Sequence, residues 1–148
     1  MFYLCEFELY KDGKYVIAEP FGLGSGTFGE GREDALESAA DYMRVVIEDM
    51  LIEGKEIPEP TFGNAARHGG MVVVLAVECS LEKVDAVTAS EAARMLNLSR
   101  ARVTQMCDSG KLQSWKDGSR RMVTRDSVKA RLAEQPKAGR PRKEPVLA

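Results

Sequence analysis

Four polar side chains that can hydrogen-bond to nucleic acid lie within one six-residue stretch: Arg100, Arg102, Thr104 and Gln105. Arginine binds phosphate oxygens and pairs with the edge of guanine, and glutamine pairs with adenine. Val103 and the apolar residues after it mark the inward face of a short helix, so the four polar side chains fall on its exposed face. This spacing indicates a helix whose outer surface contacts DNA.

The residues around this helix predict a helix-turn-helix. Thr88-Ala89-Ser90-Glu91 has the composition of a capping box, in which the threonine hydroxyl caps the first turn and the glutamate reaches back. Asn97-Leu98 makes a tight turn, and Ser99 caps a second helix from Arg100 to about Asp108. In a helix-turn-helix the second helix lies in the major groove. A helical hairpin used for protein pairing is the alternative, but the exposed arginines favour DNA.

A hairpin with basic residues near its tip is predicted next. Leu112–Lys116 and Ser119–Val123 have strand composition, and Asp117-Gly118 between them is a strong turn signal. The cations beside this turn are Lys116, Arg120 and Arg121. We therefore expect the hairpin to act as a wing that touches the DNA backbone.

A last helix completes the pattern. Thr124 is its predicted cap, Val128 and Leu132 are its inward residues, and Pro136 marks its end. The order helix, turn, helix, hairpin, helix over Val87–Leu132 resembles the winged DNA-binding domains of excisionases and MerR-type proteins.

Residues 135–148 are predicted to form a disordered basic tail, because they are rich in proline and charge and have little to bury. Within the tail, Gly139-Arg140-Pro141-Arg142-Lys143 resembles the core of an AT-hook, which would place Arg140 and Arg142 in the minor groove of A·T-rich DNA. A solvated basic tail is the other interpretation. Either form strengthens DNA binding by counterion release.

The charge of the chain divides into an acidic and a basic half. Residues 1–80 hold 6 Lys and Arg against 15 Asp and Glu, a balance of −9, whereas residues 81–148 hold 15 against 8, a balance of +7. Such asymmetry indicates a basic partner for the first half and nucleic acid for the second. We expect an acidic domain over 1–80, a winged helix-turn-helix domain over 81–134 and the tail over 135–148.

The acidic half is predicted to fold as β-β-β-α-β, so the chain belongs to the α+β class, with a small sheet backed by one long helix. Two strands, Phe2–Tyr10 and Tyr15–Glu19, flank an Asp-Gly turn, and a short third strand is expected around Ser25–Phe28. From Glu33 onward, apolar residues at three- and four-residue spacing predict a helix of about 20 residues that Gly54 closes.

The longest unbroken apolar run, Met71–Val77, predicts the last strand of this domain, and its continuity favours burial on both faces. Its seven residues are far fewer than the roughly 20 that a transmembrane helix needs. No secretory-signal pattern is present at the N-terminus, so the cytoplasm is the expected location.

Short motifs of the acidic half resemble the HicB-like antitoxins. The residues that match are Tyr15–Pro20, Gly24, Thr27, Gly29, Glu33–Leu36 and Ile57–Pro60. The resemblance implies a partial ribonuclease-H-like sheet without catalytic activity, and a small, basic, messenger-RNA-cleaving toxin of the HicA type as partner. It also implies a toxin-binding surface at and beside the glycine-rich loop, formed by Glu19, Phe21, Leu23 and Glu30. An acidic surface suits such a partner because opposite charge steers encounter and fixes orientation.

Other chemistries are weakly supported by the residues. Gly24-Ser25-Gly26-Thr27-Phe28-Gly29 matches a dinucleotide fingerprint, but no compact strand–helix–strand unit follows it, so a connector is the better interpretation. The lone His68 has no second histidine to share a zinc ion or a catalytic role. Three distant cysteines, Cys5, Cys79 and Cys107, are interpreted as reduced thiols. No metal ligand, cofactor or catalytic residue is assigned.

The predicted function is that of an antitoxin-like repressor, which neutralises a small basic toxin and binds the operator of its own genes. A dimer is expected because two half-sites supply the affinity that one module lacks. One alternative is a stand-alone transcription factor whose acidic domain dimerises or senses a ligand. The loop Phe21–Gly31 favours it, because Phe21-Gly22-Leu23 stands where the HicB-like pattern has Asp-Leu-Pro, and Ser25 replaces its cysteine. The other is an enzyme, since a ribonuclease-H-like sheet can hold metal-binding carboxylates, although the acids here fall mostly on helix faces or near turns.

Overall fold

A computed structural model of the chain describes residues 1–134, which divide into two compact units between Val84 and Asp85. Both units combine helices with an antiparallel sheet, so the predicted α+β class is confirmed. The predicted tail over 135–148, with Arg140 and Arg142, lies outside the described residues. None of the described helices combines the length and apolarity that crossing a bilayer requires.

The first unit is a four-stranded antiparallel sheet with one long helix. Its strands are β1 (Phe2–Asp12), β2 (Tyr15–Pro20), β3 (Thr27–Gly29) and β4 (Met71–Glu78), and its helix is α1 (Arg32–Glu53). The strands lie in the order β3-β2-β1-β4, and a one-turn 3₁₀ helix, Leu81–Lys83, follows β4. The predicted β-β-β-α-β order is found, with the third strand beginning at Thr27 instead of Ser25.

Glycine shapes the turn between β1 and β2. Asp12 pairs with Tyr15, so the loop consists of Gly13 and Lys14, and of these only Gly13 has a positive φ, at 61°. A two-residue loop with positive φ at its first position alone has the type II′ pattern, whose twist matches that of the flanking strands. Asp12 is therefore the last residue of β1 and the first of the four turn residues, and the central positions belong to Gly13 and Lys14.

Helix α1 covers one face of the sheet and forms the core of this unit. Its fully buried residues recur at four-residue intervals: Ala35, Ala39, Met43 and Ile47. They pack against alternate residues of β1: Tyr3, Cys5, Phe7 and Leu9. Small residues bring helix and sheet close together, since a Cβ on Gly29 would lie only 2.4 Å from the nitrogen of Ala35. The helix closes at Gly54, as predicted, in the left-handed conformation at φ 67°.

The strand buried on both faces is β1, and the prediction of such burial for β4 is wrong. Within β4 only Val77 is buried, and Val74 is 51% exposed. β1 pairs with both β2 and β4, and every residue from Cys5 to Leu9 is buried, including two glutamates. The apolar run of β4 correctly predicted a strand. It could not predict that this strand lies at the edge of the sheet, because that position depends on pairing with residues about 70 positions away.

A loop over residues 61–70 covers the other face of β1 and is held there by the two buried glutamates. The Glu8 carboxylate accepts three backbone N–H groups at 2.7–2.9 Å, those of Arg67, His68 and Gly70. The Glu6 carboxylate accepts two backbone N–H groups and a side-chain amide at 2.6–3.0 Å, from Gly63 and Asn64. Burial by itself would raise the pKa of each carboxyl, but these hydrogen bonds outweigh it and lower both pKa values.

The second unit contains a helix-turn-helix and a three-stranded antiparallel sheet. Its elements are β5 (Ala86–Thr88), α2 (Ala89–Leu96), α3 (Arg100–Asp108), β6 (Ser114–Asp117), β7 (Arg120–Thr124) and α4 (Arg125–Glu134). The sheet has the order β5-β7-β6, so the predicted hairpin gains a third strand, β5, that local sequence did not indicate.

The core of the second unit is small and joins all three helices to the sheet. Its fully buried members are Ala92, Val103, Val123 and Val128. Thr124 caps α4 as predicted, since its hydroxyl accepts the Ser127 N–H at 3.3 Å. The prediction that Leu132 faces inward is wrong, because Leu132 is 40% exposed. The last turns of α4 extend past the core, and Val128 is the only buried residue that this helix contributes within the described range.

Candidate nucleic-acid interface

Caps and one left-handed residue fix the two helices of the helix-turn-helix. The Thr88 hydroxyl accepts the Glu91 N–H at 3.2 Å and the Glu91 carboxylate accepts the Thr88 N–H at 3.4 Å, which completes the predicted capping box. Asn97 ends α2 at φ 55°, a left-handed conformation that asparagine tolerates better than most residues. The Ser99 hydroxyl then caps α3 by accepting the Arg102 N–H at 3.1 Å.

Helix α3 presents the predicted polar side chains to solvent. Val103 and Met106 are buried in the core, so the opposite side of the helix remains free. The exposed residues there are Arg100, Arg102, Thr104 and Gln105. The Arg102 guanidinium donates to the Gln105 side-chain oxygen at 3.4 Å, which keeps these two polar side chains together on the outer surface.

The hairpin of β6 and β7 places its cations in two different environments. Asp117 pairs with Arg120, so the loop is Gly118-Ser119, with Gly118 at φ 61°. Lys116 and Arg120 are exposed beside this loop. Arg121 is half-buried and donates to the Asp108 carboxylate at 2.8 Å, a hydrogen bond that raises the pKa of the guanidinium further above its usual value. Arg121 thus ties the hairpin to the end of α3.

An open groove lies between α3 and the hairpin. Seven of the residues that the sequence predicts to contact DNA lie within residues 1–134. Five of them line this groove: Arg100, Thr104, Lys116, Arg120 and Arg121. The other two, Arg102 and Gln105, lie on the exposed side of α3 beside it. Among residues 1–134, no carboxylate forms an ion pair with Arg100, Lys116 or Arg120. Within residues 1–134, these three cations therefore keep their positive charge for a ligand, whereas Arg121 is paired with Asp108, which also lines the groove.

Sequence reasoning missed four small residues in the lining of this groove: Thr88, Ala89, Ser90 and Ser119. The first three form the start of α2, and the last belongs to the hairpin loop. Hydroxyl side chains and backbone N–H groups at such positions donate hydrogen bonds to phosphate oxygens. The capping box was a signal for this segment, but it indicated only a helix start.

The predicted partner-binding residues of the first unit do not form one exposed surface. Phe21 and Leu23 are buried, at 7% and 1% exposure, so their side chains are inaccessible to a partner. Glu19 is half-buried and accepts from the Tyr10 hydroxyl at 3.2 Å. Glu30 alone of the four is fully exposed.

His68 completes a polar cluster on the sheet, where sequence reasoning gave it no role. Its ring stacks on Tyr10, with centroids 4.1 Å apart, and its Nε2 lies 3.0 Å from the Glu19 carboxylate. Burial, followed by the hydrogen bond to Glu19, raises the pKa of the Tyr10 hydroxyl. The cluster attaches the 61–70 loop to β1 and β2, in addition to the contacts of Glu6 and Glu8.

Residues 1–134 contain no group of three or more histidine, cysteine or acidic side chains placed to hold a metal ion. The three cysteines are free thiols. Cys5 and Cys79 are buried, and burial raises the pKa of Cys5 to about 11, so this thiol stays protonated at neutral pH.

Comparison with known proteins supports the helix-turn-helix found in the second unit. Residues 86–136 match a protein-family model described as a helix-turn-helix domain. No curated protein matches the chain. Among solved structures, a toxin–antitoxin complex from Streptococcus pneumoniae is similar at 16% sequence identity and a TM-score of 0.40, covering 75% of this chain and 98% of that chain.

The chain therefore contains a helix-turn-helix domain, and the two helices, the left-handed turn at Asn97 and the basic groove all belong to it. Domains of this type are DNA-binding modules in which the second helix enters the major groove.

Proposed function

We propose that this protein is an antitoxin-like transcriptional repressor, which binds operator DNA through its second unit and a small basic protein through its first. The main support is the groove beside α3, where Arg100, Lys116 and Arg120 have no ion-pair partner among the described residues. Cations in this arrangement bind phosphates and release counterions, which favours association with DNA.

The roles of the side chains follow from their positions. Lys116 and Arg120, at the tip of the hairpin, contact the phosphate backbone and fix the register of the domain. Arg102 and Gln105, on the outer side of α3, read base edges in the major groove, because arginine pairs with guanine and glutamine with adenine. Arg121 contributes indirectly, since its ion pair with Asp108 holds the hairpin beside α3.

The first unit is proposed to resemble the HicB-like antitoxins and to bind a basic toxin of the HicA type. Support comes from helix α1, whose outward side exposes an acidic stripe at four-residue spacing, formed by Glu33, Glu37 and Asp41. Asp41 also pairs with Arg44 at 3.1 Å, so the charge that this stripe offers a basic partner is mainly that of Glu33 and Glu37. Association would act by occluding the toxin in the cytoplasm, with no bond broken.

A stand-alone transcriptional regulator is the second candidate. The burial of Phe21 and Leu23 favours it, because these residues were expected at the toxin-binding surface and instead pack inside the unit. In that case the first unit would serve only for dimerisation or ligand sensing.

An enzymatic function is not proposed. The two acids that lie centrally in the sheet, Glu6 and Glu8, accept five backbone N–H groups between them. Carboxylates used in this way hold a loop in place. Nuclease activity of the purified protein with magnesium, lost on mutation of Glu6 or Glu8 without unfolding, would contradict this structural role of the two carboxylates.

DNA binding is tested by selecting ligands from a random duplex library and measuring the affinity of variants for the selected sequence. The double variant Arg100→Ala, Arg102→Ala should lose about 100-fold in affinity, since Arg102 would lose a base contact that contributes about 1–3 kcal/mol and Arg100 would lose a phosphate contact. Lys129→Ala is the matched control, because it removes an exposed cation of α4 that does not line the groove. Equal affinities of the double variant and the control would contradict the assigned recognition helix.

Toxin binding is tested by co-purification of the tagged protein expressed with its neighbouring genes. The expected result is a stoichiometric small basic protein, which is lost when Glu33, Glu37 and Asp41 are changed to their amides. A partnerless protein that still binds the selected DNA would support the stand-alone regulator instead.

A further inference from the structure

Strand β4 leaves an eight-residue edge of the first unit's sheet open. It pairs with β1 on one side only, and in the strand order β3-β2-β1-β4 it is terminal. Apart from its ladder with β1, none of its backbone groups forms a backbone hydrogen bond within the described residues. A long edge with unpaired N–H and C=O groups is a template for pairing with another strand.

The core beneath this edge is also incomplete. Val73 and Leu75 face the helix-covered side but are only half-buried, whereas the β1 residues paired with them, Phe7 and Cys5, are buried to 0% and 1% exposure. On the other face, Val74 is 51% exposed. A neighbour placed against the edge would cover apolar side chains on both faces of the sheet.

The edge also lacks the features that usually prevent strand addition. Residues 71–77 contain no charge and no proline, whereas natural edge strands are commonly protected by lysine, proline or short length. The opposite edge of the same sheet, β3, is protected in this way because it has only three residues. Of the two edges of this sheet, only the β4 edge is therefore both long and unprotected.

We propose that β4 pairs with β4 of a second copy of this chain, antiparallel and centred on Val74. In that register Val74 lies opposite Val74, Val72 opposite Ala76, and Val73 opposite Leu75, so same-face neighbours are apolar throughout. Glu78 falls opposite Gly70, which keeps like charges apart. The pairing joins two four-stranded sheets into one of eight strands. Because β4 is the one long edge strand among residues 1–134, the assembly closes as a dimer.

Two observations select a second copy as the occupant. The edge is self-complementary about Val74, and it offers no acid between Met71 and Val77 that would attract a basic toxin. The choice also rests in part on the proposed function, since a helix-turn-helix protein gains operator affinity by binding two half-sites as a dimer.

The surface is tested by sedimentation of the purified full chain, without DNA, over a range of concentrations. The wild type should be dimeric, and Val74→Lys should raise the dimer dissociation constant about 100-fold, because two ammonium groups would meet at the symmetry axis. Phe28→Lys is the matched control, since Phe28 is 56% exposed on the opposite edge strand of the same sheet. A monomeric wild type, or equal dimerisation of Val74→Lys and the control, would overturn the proposal.

The register is tested by cross-linking, which also covers the case that Val74→Lys does not fold. Opposite Cα atoms of antiparallel strands are about 4.5–5.5 Å apart, within the range of a disulfide. On a Cys107→Ala background, oxidised Val74→Cys should form a covalent dimer, whereas Phe28→Cys should not. Absence of cross-linking at position 74 would overturn the register.

The outcomes separate this inference from the proposed function. A dimer that binds no DNA would contradict the proposed function and leave the interface in place. A monomer that binds the selected DNA would contradict the interface and leave the proposed function in place.

Discussion

The two units use their charged side chains in opposite ways. In the first unit, acids stabilise the fold: Glu6 and Glu8 hold the 61–70 loop, and Glu19 accepts from Tyr10. In the second unit, the basic residues Arg100, Lys116 and Arg120 line a groove without an ion-pair partner among residues 1–134. The net charge of the first unit therefore overstates the number of acidic side chains that are free to bind a basic partner. In the second unit, the groove cations remain available to a ligand.

The largest effect expected from this contrast is on stability, in the variant Glu8→Ala. Three backbone N–H groups would lose their acceptor, and an unsatisfied buried donor costs about 1–3 kcal/mol, so we expect a loss of about 3 kcal/mol in the free energy of unfolding, allowing for water reaching the released loop. Urea denaturation followed by circular dichroism measures it.

Glu37→Ala is the control for this variant, because it removes the same charge from an exposed position of α1. Its free energy of unfolding should change by no more than about 0.5 kcal/mol. Equal losses in the two variants would mean that the buried carboxylate does not hold the loop.

A smaller effect is expected on DNA affinity from the double variant Lys116→Ala, Arg120→Ala. Two phosphate contacts would be lost, so the affinity should fall about 30-fold for all sequences and the slope of log affinity against log salt should decrease by about 2. The stability should be unchanged, since neither side chain forms an ion pair among residues 1–134. An unchanged salt slope would show that the hairpin does not touch DNA.

Acid should lower the free energy of unfolding of the first unit. The pKa values of Glu6 and Glu8 are lower in the folded protein than in the unfolded chain, so their contribution is present above the unfolded pKa and is lost as the pH falls through the folded pKa. Glu48 acts in the opposite direction, because burial raises its pKa. We expect the free energy of unfolding to decrease below about pH 5, and to decrease less steeply in Glu8→Ala. Urea denaturation at several pH values measures both profiles. Parallel pH profiles would contradict the assignment to Glu8.

The smallest effect is expected for Asp108→Ala, which removes the partner of Arg121. Asp108 is largely exposed, and ion pairs at the surface contribute about 0–1 kcal/mol, so the free energy of unfolding should fall by about 0.5 kcal/mol. A loss above about 2 kcal/mol would mean that this pair, unlike Arg100, Lys116 and Arg120, is essential to the fold.

The second unit was the more predictable of the two from sequence, because its features are local. The capping box at Thr88, the cap at Ser99 and the helix end at Asn97 each depend on residues within four positions of one another. The apolar spacing around Val103 then determined which side of α3 remains exposed. Leu132 was predicted to face inward but is exposed, because the length of α4 that contacts the core depends on the other elements of the unit.

The first unit was less predictable, because its burial depends on strand order. The local pattern predicted all four strands and the helix, but it assigned two-sided burial to the apolar strand β4. It did not predict that Glu6 and Glu8 are buried in the inner strand β1. A carboxylate is buried only when donors reach it, and here these donors come from a loop about 60 residues away.

The sequence by itself determined the caps, the turns, the helix faces and the division of charge, because each depends on the type and spacing of near neighbours. The tertiary structure alone decided which strand is central, which acids hold a loop and which arginine pairs with Asp108. These outcomes depend on contacts between residues far apart in the chain, whose partners are brought together only by folding.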